Sequence, residues 1–400
     1  MKPRNWIAIS LAAAAAAAVT ATTTTASAAT ASAATATTPA RQAYTQQDLQ
    51  RDLDAIAATG VPGVLAEVRT GSHVLRGTSG VANLDTRAPV NASGYFRIGS
   101  NTKTFVSVVL LQLVAEHRLS LDDTVARWLP GVVHGNGNDG NKITVRELLQ
   151  HTSGLHNYTV DLQAEITSPE AYSKLEFEQF SRQDLLNIAF SHQPTSAPGA
   201  AFNYSNTNYI LLGMIIEKVT HDSWENQVTK RIIRPLGLRH TFAPGTSTRL
   251  PRPHATGYLI FDKNTRVDTT LENMSWADSA GALISTASDL SRFWSAIGNG
   301  TLLPPAQIRE MRQTVPAANG DVAAVPGSRY GLGIFSIPLT CGGVYWSHEG
   351  DVPGYNTVGA VSSDGRTTVV ESINSNVDDP VLAAEYGLVD HVMCDQPGQG

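Results

Sequence analysis

Two side chains three positions apart offer the clearest chemistry in this 400-residue chain. They are Ser100 and Lys103 in Ser100-Asn101-Thr102-Lys103, just before an apolar run. On a helix such residues share a face, so a hydroxyl and an amine can meet. At a helix start the serine also sits where backbone N–H groups and the dipole favour developing negative charge. An amine kept neutral by burial can take the hydroxyl proton, which would make Ser100 a nucleophile and Lys103 its base. The spacing alone is a weak signal, because serine and lysine meet this way by chance.

Two further groupings fit the same chemistry. Tyr204-Ser205-Asn206 follows Pro198-Gly199 and precedes an apolar helical stretch from Tyr209. A phenol there can relay a proton to a leaving group, and a carboxamide can hold a substrate amide. The same residues also suit an ordinary loop with an Asn-stabilised turn. His348-Glu349-Gly350 lies on a late strand-like run before Pro353-Gly354-Tyr355. The glycine lets a substrate backbone lie along the strand edge, and an N–H near Asp351 would be a second oxyanion donor beside that of Ser100. Taken singly, a histidine at a strand end is more often structural.

The elements that must position these residues follow from periodicity. Gln46 to Ala57 reads as an amphipathic helix, and Val64–Val68 with Val74–Val81 as a hairpin turning at Thr70-Gly71-Ser72. Phe105–Val114 is apolar all round, as in a helix buried inside a core. Helical patterns at Ile143–His151, Ser181–Ala189 and Tyr209–Val219 dominate the middle, separated by turn clusters. A capped helix is expected over Ser288–Ile297, and strands over Gly331–Ile337, Val344–His348, Thr357–Ser362 and Thr367–Ile373. Strands early and late with helices between imply an α/β sandwich whose antiparallel sheet is built from both chain ends, with an all-helical insertion. The expected division is 44–120 with 277–394 as the α/β lobe and 121–276 as the helical lobe.

Composition sets bounds. A net charge of -6 with no Lys/Arg stripe argues against nucleic acid. Lys2 and Arg4 head an apolar stretch from Trp6 to Val19, and Ala26-Ser27-Ala28 follows. That order reads as a secretory signal over 1–28 and hence a secreted protein; the apolar run is shorter than the roughly 20 residues that span a bilayer, so no membrane partner is expected after removal. The Ala/Thr-rich 29–43 reads as a low-complexity leader. In an exported chain the two cysteines, Cys341 and Cys394, are expected to form a disulfide. No Cys/His spacing suits a metal, and His151 and His156, five apart, lie off a shared helical face.

Ser-x-x-Lys, Tyr-x-Asn and His-x-Gly occur here in that order, with Phe96-Arg97-Ile98-Gly99-Ser100, Thr144-Val145-Arg146-Glu147-Leu148-Leu149, His151-Thr152-Ser153-Gly154-Leu155, Ser275-Trp276-Ala277, Ser279-Ala280-Gly281-Ala282 and Tyr330-Gly331-Leu332-Gly333. This set resembles the class C serine beta-lactamases and the related soluble D-alanyl-D-alanine carboxypeptidases, across about Gln46 to Cys394. The resemblance implies a penicillin-recognising fold and an acyl-enzyme mechanism without metal or cofactor. It assigns Ser100 to acylation, Lys103 to the base, Tyr204 to the proton shuttle, Asn206 to the acyl side chain and His348 to support from the strand. The cysteine pair matches a pair in the carboxypeptidase branch. The implied substrate is a D-amino-acid-containing peptide or amide, the acceptor water or an amine, and the beta-lactams inhibitors or substrates; a monomer is expected, though the sequence alone does not set the oligomeric state.

Two departures bear on substrate. Carboxypeptidases of this kind offer a threonine between the histidine and glycine and a hydroxyl just after, where this chain has Glu349 and Asp351. They also place an arginine soon after the Tyr-Gly-Leu-Gly run, where this chain has Ile334 and Phe335, with Arg329 before it. On a strand the two acids share one face, and if that face meets the leaving group they would repel a substrate's terminal carboxylate by about 1–4 kcal/mol per pair at 4 Å. The leading expectation remains a D-alanyl-D-alanine carboxypeptidase. A D-stereospecific aminopeptidase, amidase or esterase is the alternative that suits those acids, unless they turn to solvent or pair with a distant arginine. A class C-like beta-lactamase and a non-catalytic sensor remain further readings.

Overall fold

The structure is a computed structural model and describes residues 43–262, 265–317 and 325–395. The signal over 1–28 and nearly all of the 29–43 leader lie outside the described residues. Eight antiparallel strands form one sheet: β1 Gly63–Thr70, β2 His73–Gly80, β3 Val315–Pro316, β4 Arg329–Tyr330, β5 Phe335–Pro338, β6 Val344–Val352, β7 Tyr355–Ser362 and β8 Thr367–Ile373. Their order across the sheet is β2-β1-β8-β7-β6-β5-β4-β3. The early hairpin therefore docks beside the last strand, with Val64 opposite Ile373 and Thr70 opposite Thr367. Both chain ends build the sheet, as the strand pattern implied.

Seven helices matter for the site: α1 Gln46–Ala58, α2 Asn101–Ala115, α3 Tyr158–Glu165, α4 Arg182–Ser191, α5 Asn206–Thr220, α6 Ala287–Gly298 and α7 Asp379–Cys394. α1 starts at a capping box in which Thr45 and Asp48 satisfy each other's backbone N–H, and it buries Leu49, Leu53 and Ile56 along one stripe. With α7 it covers one face of the sheet, while α6 and α2 cover the other. The central strands β7 and β8 are consequently buried on both faces. The disulfide Cys341–Cys394 joins the end of α7 to the turn before β6; closing a loop of that length contributes on the order of 4 kcal/mol in the chain-entropy model.

α2 runs through the middle of the molecule, between sheet and helices, and buries its side chains from Asn101 to Leu111 without a break. An amphipathic surface helix would show a polar stripe, so its all-round apolarity is explained by this position. Residues 121–276 are mainly helical, but two short hairpins interrupt them, at His134–Asp139 and Tyr258–Asp268. The helix expected over Ile143–His151 is only Val145–Leu149, because His151 turns to φ 57. The strand expected over Gly331–Ile337 begins at Phe335, since Gly333 sits at φ 83 against Ser107. Among the described residues no helix is long and apolar enough to cross a membrane.

Candidate active site

Ser100 occupies the N-cap of α2, and Lys103 lies one turn along on the same face. Lys103 Nζ is 2.8 Å from Ser100 Oγ, 2.6 Å from Asn206 Oδ1 and 2.8 Å from the Ala280 carbonyl oxygen. The lysine is completely buried, and burial holds its pKa well below the usual ammonium value. A neutral amine has two N–H groups and one lone pair. The Asn206 and Ala280 oxygens can only accept, so they take both N–H groups and leave the lone pair facing the Ser100 hydroxyl.

Tyr204 and Asn206 come to the same point from the loop that opens α5. The Lys103 amine sits 4.9 Å from the centre of the Tyr204 ring, and the Ser100 hydroxyl is among the groups that act on the phenol. Burial raises the Tyr204 pKa above its ordinary value, so the phenol keeps its proton at neutral pH. Behind it, the His151 ring packs at a tilt with centroids 4.2 Å apart, and its Nδ1 accepts from the Ser205 N–H at 3.2 Å. Asn206 is fixed from the other side. Its backbone N–H donates to Asn157 Oδ1 at 3.0 Å, and its Nδ2 donates to Thr159 Oγ1 at 3.0 Å. Both contacts turn the carboxamide oxygen towards Lys103. Asn206 thus orients the lysine directly, a different contact from the substrate grip that the resemblance implied.

β6 supplies the third wall. His348 is buried, and burial pushes its pKa down to about 3. Its Nδ1–H donates to the Glu349 carbonyl at 2.6 Å, which leaves Nε2 to accept from Tyr330 Oη at 3.0 Å. The ring is therefore neutral and packs behind the site. Gly350 explains its own identity: a Cβ there would fall 1.9 Å from the Ile98 carbonyl oxygen and 3.0 Å from Ser100 N. A Cβ on Gly99 would fall 2.8 Å from Asp351 N. The strand and the helix start thus bring the Ser100 and Asp351 amides together, as two oxyanion donors require.

Glu349 and Asp351 stand on the same strand. Glu349 accepts a 2.5 Å hydrogen bond from Tyr386 of α7. Burial pushes its pKa up to about 7, against that hydrogen bond. Asp351 is also pushed up to about 7, first by the crowding protein and then by the Glu349 charge. Its side chain remains exposed, so bulk water screens part of that effect. Among the described residues no lysine or arginine pairs with either acid. Arg329 is engaged elsewhere, with Nε and Nη2 both 2.8 Å from Thr314 oxygens. Asp351 and Val352 edge a pocket lined by Leu162, Ile166, Tyr172, Phe180 and Trp276, with Glu176 and Glu272 among its walls.

The sequence reading missed Asn157, Thr159 and Ala280. Ala280 acts through its main chain, which carries no residue-type signal, although it lies within the quoted Ser279-Ala280-Gly281-Ala282 run. Asn157 and Thr159 act through Asn206, across about fifty positions of chain.

Comparison with known proteins bears on this geometry. A family model described as Beta-lactamase matches residues 16–392. The chain is similar to the D-stereospecific amidohydrolase from Streptomyces sp., with 39% identity and a TM-score of 0.78, covering 86% of this chain and 99% of that one. It is also similar to the D-amino acid amidase from Ochrobactrum anthropi SV3, with 27% identity and a TM-score of 0.73 over 86% and 96% of the two chains. The putative penicillin-binding protein PbpX of Bacillus subtilis (strain 168) is 26% identical over 313 residues, 78% of this chain and 70% of that protein.

Proposed function

The chain belongs to the beta-lactamase family of serine hydrolases, and from that premise we propose that it is a D-stereospecific amidohydrolase. Its substrates would be D-amino-acid amides or short D-peptides that carry a free ammonium and an apolar side chain. The observation that carries this reading is the pair Glu349 and Asp351 on the strand whose main chain meets Ser100, with no lysine or arginine paired to either among the described residues. A terminal carboxylate is repelled there and an ammonium attracted. The apolar pocket next to Asp351 suits the side chain. The carboxypeptidase reading would use the same serine and lysine. The nearby Arg329 is held by Thr314 and so is not free to grip the terminal carboxylate.

The chemistry is an acyl transfer. Ser100 Oγ attacks the amide carbonyl as its proton passes to neutral Lys103. The N–H groups of Ser100 and Asp351 stabilise the oxyanion. Tyr204 gives its proton to the leaving amine and regains one from Lys103. Water then attacks the acyl-enzyme by the reverse relay, releasing the D-amino acid and restoring Ser100. An amine in place of water would give transfer, and a beta-lactam would acylate the same serine. Export fits both the N-terminal pattern and the disulfide.

The test is a side-by-side rate comparison, with Ser100→Ala as control, of a D-amino-acid amide with a free amino group and a blocked peptide ending in D-Ala-D-Ala. Faster cleavage of the amide supports the proposal. Faster release of terminal D-Ala would overturn it in favour of the carboxypeptidase.

A further inference from the structure

A second cluster of chemistry-bearing side chains stands apart from Ser100, where α3 meets the end of α4. His156 Nε2 lies 2.7 Å from Asp161 Oδ2, and His192 Nε2 lies 2.9 Å from Asp161 Oδ1. The two imidazoles stack with centroids 3.9 Å apart and planes 20° apart, so both Nε2 atoms reach one carboxylate side by side. The ligand atoms of all three residues lie within 4.8 Å of one another. The three come from separate places: the segment before α3, the α3 helix itself and the C-cap of α4.

We infer that His156, Asp161 and His192 form a binding site for a divalent transition-metal ion, of which Zn²⁺ is the type. Two imidazole nitrogens and a carboxylate are a donor set that such ions take, with Zn–N and Zn–O at about 2.0–2.2 Å. Tetrahedral ligation sets the donor atoms roughly 3.3 Å apart, so the two histidine–carboxylate contacts need only open slightly to admit the ion, with water as fourth ligand. The His192 side chain is 42% exposed, which leaves the ion an entry path.

The site would act by bracing the loop that carries Tyr204 and Asn206. The His156 carbonyl accepts from Thr207 Oγ1 at 2.6 Å and from Ser205 Oγ at 3.2 Å. The next residue, Asn157, accepts from the Asn206 N–H at 3.0 Å. An ion held by His156 and His192 therefore ties α4 to the segment that orients Asn206 and, through it, Lys103. The ion touches no reacting atom, so its role is positional.

The experiment uses the full mature chain, stripped by a chelator and titrated with ZnCl₂ by calorimetry, with thermal unfolding alongside. The expected result is about one equivalent bound in the micromolar range, with the midpoint raised by roughly 3–6 °C at a hundred-fold excess over Kd. Co²⁺ should give a d–d absorption band that Zn²⁺ displaces. His192→Ala, at an exposed helix end where folding is tolerant, should lose binding, band and shift while keeping its far-UV circular dichroism. The absence of saturable binding in the wild type, or its survival in His192→Ala, would overturn the inference. Neither outcome depends on which substrate the enzyme cleaves.

Discussion

Asn206 Oδ1 lies 2.6 Å from Lys103 Nζ, nearer than the 2.8 Å between that nitrogen and Ser100 Oγ. The asparagine is therefore part of what decides the lysine's protonation. A neutral carboxamide oxygen accepts an N–H without demanding a cation, whereas a carboxylate in the same place would favour the ammonium.

Asn206→Asp should accordingly keep Lys103 protonated at neutral pH. An opposite charge at that range raises a pKa by about 1–3 units, so the acid limb of the kcat/KM profile should move up by that much. At pH values below the limb the rate should fall about 10- to 1,000-fold. Asn206→Ala removes the acceptor without adding charge and should not move the limb upward. A pH–rate profile of both variants checks this, and an unmoved limb in Asn206→Asp would refute the assignment of Lys103 as base.

Gly350→Ala tests the contact between strand and helix start. The new Cβ would meet the Ile98 carbonyl oxygen at 1.9 Å and Ser100 N at 3.0 Å, both backbone atoms with little room to yield. Ser100 and its N–H must shift, so kcat should fall about 100-fold or more, the range seen for loss of an oxyanion donor. Because β6 keeps its ladder with β7, the protein should remain folded by circular dichroism. Wild-type kcat in this variant would show that the two amides do not act on a common atom.

Much of this arrangement was legible from local pattern. α2 was readable because its all-round apolarity admits only a buried helix, and Ser100 and Lys103 because helical spacing puts them on one face. The strand at Thr367–Ile373 has the expected ends. Other features depended on tertiary partners. β6 runs four residues beyond the expected His348, since β7 supplies its ladder through Glu349, Gly350 and Asp351, residues that break any apolar alternation. α7 was not expected at all. Its buried residues, among them Val381, Leu388, Val389 and Val392, pack on a sheet face that only the assembled fold presents. The pairing of His156 with His192 joins positions too far apart in sequence for any spacing rule to relate.

Stability should fall as pH rises. Glu371 of β8 and Glu385 of α7 are buried against each other; burial raises both pKa values, and for Glu385 the neighbouring acids Glu371, Glu349 and Asp351 raise it further. Glu272 is pushed up to about 8 by burial. Each folded value lies above the unfolded one, so the folded chain holds protons that the unfolded chain has released. Their stabilising effect is complete below about pH 4 and is lost as pH climbs through the raised values. Thermal midpoints should drop by several degrees between about pH 5 and pH 9. Glu385→Gln should flatten that drop, because the remaining Glu371 then ionises beside a neutral partner. An equally steep drop in the variant would mean that the pair does not control the alkaline limb.

Glu349 and Asp351 make the sharpest prediction about substrate. Glu349 is pushed up to about 7, and Asp351 is raised in the same direction though screened by water, so Glu349 at least is largely protonated in mild acid and charged in mild alkali. An ammonium substrate gains from the charged forms, and its own α-amino group loses its proton near pH 8. Its kcat/KM should therefore rise through about pH 7 and fall again above about pH 8. An N-acylated amide meets the same Lys103 but offers no ammonium, so the difference between the two profiles isolates the acids from the base. Glu349→Gln with Asp351→Asn should lower kcat/KM for the free-amine amide by about 10-fold or more, chiefly through KM, and leave the acylated one nearly unchanged. The double variant should also tolerate a terminal carboxylate better than the wild type does. If the two wild-type profiles superimpose after normalisation, the acids do not read the ammonium and the amidohydrolase reading loses its support.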